Sequence, residues 1–226
     1  MLKILLLTMI YTLSSMAEGN SSLTNTIEVE LTDDTSIIIG RKIDAKCKKI
    51  PIAIHSFWSS NYAGEHIADE CKSTFVKTAG KLSPISVAKG VETFGELEIL
   101  NFVDELQADE DMLLIDIRKP LWFEKRTIPG AINISFEYIY KADEYPKEFK
   151  KTLKRLEIKG DKKPYDFKEA KTIAVFCNAV WCTQSTLMVK SLLKLGYPAN
   201  KIKWYRGGLE SWLGLNMSFV KGISEK

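Results

Sequence analysis

The run VFCNAVWCTQS, residues 175–185, sets Cys177 and Cys182 five positions apart, after an apolar segment and ahead of a helical pattern. A thiol at the carboxyl end of a strand, facing a loop that enters a helix, meets main-chain N–H groups that the helix leaves unpaired. Those donors and the positive helix end favour thiolate over thiol, and the thiolate is the nucleophile. Three readings stand: Cys177 as a nucleophile, Cys177 bridged to Cys182, or both as buried inert thiols. The loop itself, Asn178, Ala179, Val180, Trp181, Cys182 and Thr183, carries no Arg, Lys or His. Phosphoryl transfer needs positive charge on its equatorial oxygens, so that chemistry is disfavoured. His55 and His66 lie far upstream, which argues against a Cys-His protease. Together with Cys47 and Cys71 they match no zinc spacing, and no metal is expected. The Cys-x4-Cys interval is also not the Cys-x-x-Cys of dithiol exchange.

The elements that position this loop follow from hydrophobic pattern. TIAVF (172–176) and MLLIDI (112–117) are continuous apolar runs, as expected for strands covered on both faces. AINIS (131–135) and IKWY (202–205) read as shorter strands. Ile99, Val103 and Leu106 make a helical stripe, as do Phe149, Leu153 and Leu156 behind Pro146 at a first turn. Met188, Leu192 and Leu195 line a helix that stops at Gly196, with Pro198 just beyond. Gly207–Gly208 leads into a last short helix containing Trp212. Helices between short buried strands predict an α/β fold with a mainly parallel central sheet flanked by helices. Pro129–Gly130 and Gly207–Gly208 read as devices for tight turns and close backbone approach.

Composition narrows the class further. The 226 residues are 45% hydrophobic with a net charge of only +3, and the lysines are interspersed with acidic residues. That describes a solvated surface, and nucleic acid is excluded as a partner. The start reads differently: Lys3, the apolar residues 4–13, and Ser15 and Ala17 as small residues before a cleavage predict a signal peptide over residues 1–17. The apolar run is shorter than a membrane span, so no membrane association is expected after cleavage. Export favours disulfides, and position in the chain favours Cys47 with Cys71. Residues 18–90 are expected to form a small, disulfide-stapled extension or module. It contains a β-hairpin, IEVEL and SIIIG across TDDT, and a short helix near ADECKSTFV. Residues 91–220 form the α/β domain.

LLIDIRKPLWFEKRTIPGAINIS resembles the first half of rhodanese-like domains, with Asp-x-Arg after a strand and then Ile-Pro-Gly-Ala and Asn. IAVFC, its loop and helix, LGYPANKIKWY and RGGLESW resemble the second half, and the likeness covers about residues 91–216. The resemblance implies that Cys177 is the catalytic residue of a sulfurtransferase or sulfane-sulfur carrier, holding sulfur as a persulfide without cofactor or metal. The implied partners are a sulfur donor (polysulfide, thiosulfate or a persulfidated protein) and an acceptor thiol or cyanide. Asp116 and Arg118 read as supports of the active loop through charge-assisted hydrogen bonds. Arg206 either swings toward the loop or holds a carbonyl or carboxylate at the surface.

This chain departs from the family in three ways. The stretch from Cys177 to Gly196 is longer than in typical sulfurtransferase members, and similar to that of phosphatases sharing the fold. The loop lacks the basic groups that thiosulfate-using members place against a sulfonate. Ala179, Val180 and Trp181 make it apolar, suiting a soft donor or a protein partner, unless Trp181 is a packed lid. Finally, Cys182 stands close enough to bridge Cys177. The expectation is an exported protein, periplasmic or secreted, of the sulfurtransferase type. The alternatives are a catalytically silent binding module with Cys177 and Cys182 locked together, or a periplasmic thiol-disulfide redox protein.

Overall fold

The computed structural model describes residues 27–30, 36–39, 68–72, 81–160 and 162–223. Upstream, β1 (Ile27–Glu30) and β2 (Ser36–Ile39) pair antiparallel, as their sequence pattern predicts. A short helix, α1 (Asp69–Lys72), contains Cys71, which is buried, disulfide-bonded and part of the same apolar cluster as Val175 and Met188. Cys47, its expected partner, lies outside the described residues, as do residues 1–17, His55 and His66.

The rest of the chain runs β3 (Glu92–Phe94), α2 (Glu96–Glu105), β4 (Met112–Asp116), α3 (Pro120–Lys125), β5 (Ile132–Asn133), α4 (Glu137–Tyr140) and α5 (Pro146–Arg155). It continues through β6 (Thr172–Phe176), α6 (Gln184–Leu195), β7 (Ile202–Tyr205) and α7 (Gly208–Gly214). The five strands β3 to β7 form one sheet in the order β3-β7-β6-β4-β5, and every pairing is parallel. The predicted mainly parallel sheet is therefore wholly parallel over the α/β domain.

Side chains alternate across this sheet. On β6, Ile173 and Val175 face one layer, where they meet Met188, Val189 and Leu192 of α6 and Leu153 of α5. Ala174 and Phe176 face the other, where Ile99 and Phe102 of α2 and Leu209 and Trp212 of α7 cover them. Both faces of β4 and β6 are thus apolar, which is why their sequences show no alternation. Helix α6 ends as expected. Gly196 takes a left-handed conformation (φ +106°), letting its own N–H and that of Tyr197 cap the carbonyls of Leu193 and Leu192.

Three elements lack a clear sequence signal. β3 is three residues long and forms by pairing with β7. α3 and α4 are each under two turns, too short for a periodicity to register. Conversely, β5 is shorter than AINIS suggested. Asn133 turns its amide to the carbonyls of Asp116 and Arg118, each at 2.8 Å, and the ladder ends there.

Candidate functional site

β6 ends at Phe176, so Cys177 is the first residue beyond the strand and the following loop reaches α6 at Gln184. The carbonyls of this loop are tied outward one after another. Leu209 N–H donates to Cys177 O (3.0 Å) and Glu210 N–H to Asn178 O (2.7 Å), both from the first turn of α7. Cys182 N–H donates to Ala179 O (2.9 Å), closing a turn, and Ser83 N–H donates to Val180 O (2.8 Å). The N–H groups of Asn178, Ala179, Val180, Thr183 and Gln184 have no acceptor among the described residues. With the carbonyls of Cys177, Asn178, Ala179 and Val180 engaged, these N–H donors are left for a bound anion.

The close seat of α7 under the loop depends on Gly208. Its φ is +61°, and a Cβ there would lie 2.5 Å from Cys177 O and 2.8 Å from Asn178 C. The close backbone approach expected at Gly207–Gly208 is thus made by Gly208, against the cysteine loop itself.

Asp116 and Arg118 form a fully buried pair beneath the loop. The guanidinium donates from Nε to Asp116 Oδ1 (2.9 Å) and from Nη2 to Oδ2 (2.6 Å). Its Nη1 reaches Asn178 Oδ1 at 3.2 Å, and Nη2 also donates to the carbonyl of Arg126. Thr127 Oγ1 donates to Asp116 Oδ2 at 2.8 Å. A bidentate pair fixed in this way holds the residue after Cys177 in place, with both charges satisfied. Nothing in this arrangement offers a proton to the thiol.

Arg206 holds carbonyls. Its Nη2 donates to Ser83 O (2.8 Å) and its Nε to Pro84 O (2.9 Å). Ser83 in turn binds Val180, so Arg206 reaches the loop through a strap formed by residues 82–87. Ser83 and Val87 in that strap are buried. These residues fall within the upstream segment 18–90 by sequence, and no local pattern there signals a link to the loop.

The apolar side chains of the loop are spent on packing. Ala179 and Trp181 are buried in the layer that α6 covers, and Trp181 Nε1 donates to Glu210 Oε2 at 3.0 Å. Trp181 is a packed lid. Val180 is half-buried and Thr183 exposed.

Cys177 is oxidised in this structure. Its Sγ is bonded to that of Cys182 with the Cα atoms 6.3 Å apart, and the two residues are 2% and 6% exposed. Gln184 Oε1 lies 3.5 Å from Cys177 Sγ and 3.8 Å from Cys182 Sγ, so one amide of α6 touches both sulfurs. No sequence signal singled out Gln184, Ser83 or Glu210. Each owes its place to a loop that folds back on its surroundings. Among the described residues no cluster of His, Cys, Asp or Glu is arranged to hold a metal ion, and no helix is long and apolar enough to cross a membrane.

The family model of the rhodanese-like domain matches residues 100–215, just over half of the chain. No curated protein sequence matches. Among solved structures, a protein from Bacillus halodurans is 21% identical, with 57% of this chain and 76% of that one covered and a TM-score of 0.41. A thiosulfate sulfurtransferase from Pseudomonas aeruginosa is 19% identical over 62% of this chain and 22% of its own, also with a TM-score of 0.41. An Escherichia coli rhodanese solved with anions is 24% identical over 49% of this chain and 99% of its own, with a TM-score of 0.32.

Proposed function

Because this chain belongs to the rhodanese-like domain family, we propose that in its reduced form it is a sulfurtransferase that carries sulfane sulfur on Cys177. The thiolate attacks the sulfane sulfur of a donor, a bond to Cys177 Sγ forms, and the donor's S–S bond breaks with the electron pair leaving on the departing group. An acceptor thiol or cyanide then attacks the terminal sulfur of the persulfide and returns Cys177 as thiolate. No organic cofactor or metal takes part.

The observation that carries this reading is the loop after β6. The carbonyls of residues 177–180 are held by α7, by the loop's own turn and by the strap, while the N–H groups of Asn178, Ala179, Val180, Thr183 and Gln184 have no acceptor among the described residues. Such donors stabilise a thiolate and equally a persulfide anion one bond further out. The loop has no cationic side chain, and the guanidiniums of Arg118 and Arg206 are committed to other acceptors. A donor whose leaving group needs no cationic clamp, polysulfide or a protein persulfide, fits better than thiosulfate. An exported location, with residues 1–17 removed as a leader, belongs to the same reading. In an oxidising compartment the Cys177–Cys182 bond is the resting form, and a reductant must open it before chemistry starts.

The bond and the burial of both cysteines also favour a second reading, a silent binding module in which Cys177 never becomes free. Thiocyanate formation from cyanide and polysulfide separates the two. The carrier turns over after reduction, is inactive when oxidised, and loses activity in Cys177→Ser. A silent module gives only the uncatalysed rate in every state.

A further inference from the structure

Within a loop that anchors Cys177, the placement of Cys182 has a chemical consequence. The turn from Ala179 to Cys182 brings the second cysteine back over the first. The hydrogen bonds that set this turn are not the disulfide itself: α7 holds Cys177 O and Asn178 O, Ser83 holds Val180 O, and Glu210 holds the Trp181 indole. Opening the S–S bond therefore leaves two thiols side by side, both in contact range of Gln184 Oε1. A neighbour held this way reacts at an effective concentration far above that of any dissolved thiol.

We infer that Cys182 is a second catalytic residue, a resolving thiol that discharges the Cys177 persulfide as sulfide. This rests on the sulfur-carrier reading above. The sulfur of Cys182 attacks Cys177 Sγ, the inner atom of the persulfide. The Sγ–Sγ bond forms and the bond from Cys177 Sγ to the terminal sulfur breaks. The terminal sulfur leaves with the electron pair and takes the proton of the Cys182 thiol, departing as hydrosulfide. The sulfane sulfur gains two electrons and the cysteine pair gives up the same two, which yields the disulfide seen in the structure. A dithiol reductant then restores both thiols by exchange. Attack on the terminal atom instead would only pass sulfur from one cysteine to the other, and it would not produce this bond. The reaction is thus the reduction of sulfane sulfur to sulfide, with a dithiol as the ultimate electron donor.

The test follows full-length protein, reduced and desalted without oxygen, after one equivalent of tetrasulfide, with the adduct mapped to the peptide carrying Cys177. In Cys182→Ser the adduct of about 32 Da persists. In wild type it decays at least about ten-fold faster, to a species about 2 Da below the reduced peptide, as expected of intramolecular exchange. Cys182→Ala is run in parallel, and urea midpoints of the reduced proteins verify that the variants are folded. Adducts of equal lifetime in wild type and both variants overturn the resolving role while leaving the carrier reading intact. No adduct on Cys177 in either folded variant overturns the carrier reading, and the inference with it.

Discussion

Replacing Gly208 by alanine places a methyl group against the backbone of the cysteine loop. The added Cβ would lie 2.5 Å from Cys177 O, 2.8 Å from Asn178 C and 2.9 Å from Ala179 N, all main-chain atoms that no rotamer change can clear. The φ of +61° costs a non-glycine residue about 1–2 kcal/mol. Overpacking against rigid neighbours costs about 1–3 kcal/mol more. If α7 backs away to relieve the clash, the bonds from Leu209 and Glu210 to the loop lengthen, each worth about 1 kcal/mol net. A loss of about 3–5 kcal/mol is expected, a large part of the stability of most domains. Gly214, in the last turn of the same helix, has nothing within 4 Å of a Cβ and no positive φ. There alanine should be neutral or stabilising by about 0.5–1 kcal/mol. Urea unfolding of both variants under identical redox conditions, with m-values compared, gives the difference directly. A Gly208→Ala protein within about 1 kcal/mol of wild type at unchanged m-value would mean that α7 does not hold the loop as described.

Other consequences are equally specific. Asp116→Asn leaves Arg118 buried without its counter-charge and should cost about 3–5 kcal/mol, whereas Glu92→Gln, at the partly exposed pair with Lys203, should cost at most about 0.5 kcal/mol; paired urea curves compare them. Ser135 Oγ is buried without a hydrogen-bond partner among the described residues, so Ser135→Ala should be neutral or stabilising by up to about 1 kcal/mol, and a clear loss would contradict that. Burial raises the pKa of Tyr197, and burial with the Glu96 carboxylate raises that of Tyr205. The folded protein then holds these protons more tightly than the unfolded chain. Their contribution is complete below the free phenol pKa near 10 and declines as pH rises above it. Absorbance at phenolate wavelengths should show these two tyrosines ionising only with unfolding, and Tyr197→Phe should reduce the alkaline loss of stability.

Much of the scaffold was legible because its strands are buried on both faces. TIAVF and IKWY became strands with the expected bounds, and Gly196 ended its helix where expected. What the sequence concealed depends on distant pairing. β3 exists through β7, and the partners of Arg206 lie more than a hundred residues away at Ser83 and Pro84. The Asp116–Arg118 ion pair joins residues two apart and so lies within reach of a local reading, whereas the bond from Arg118 to Asn178 spans sixty residues. The loop looked apolar and available in sequence, yet its apolar side chains turn inward, since Trp181 finds both a core to fill and a carboxylate for its indole N–H. Residue type alone cannot say which way a loop side chain points.

The most direct measurement is peptide-level mass analysis of the reduced protein after exposure to polysulfide, with Cys177 as the site monitored. The account predicts a sulfur added to Cys177 in Cys182→Ser, absent from Cys177→Ser, and absent from wild type left in its disulfide form. A Cys177 that stays unmodified in folded, reduced Cys182→Ser would contradict it.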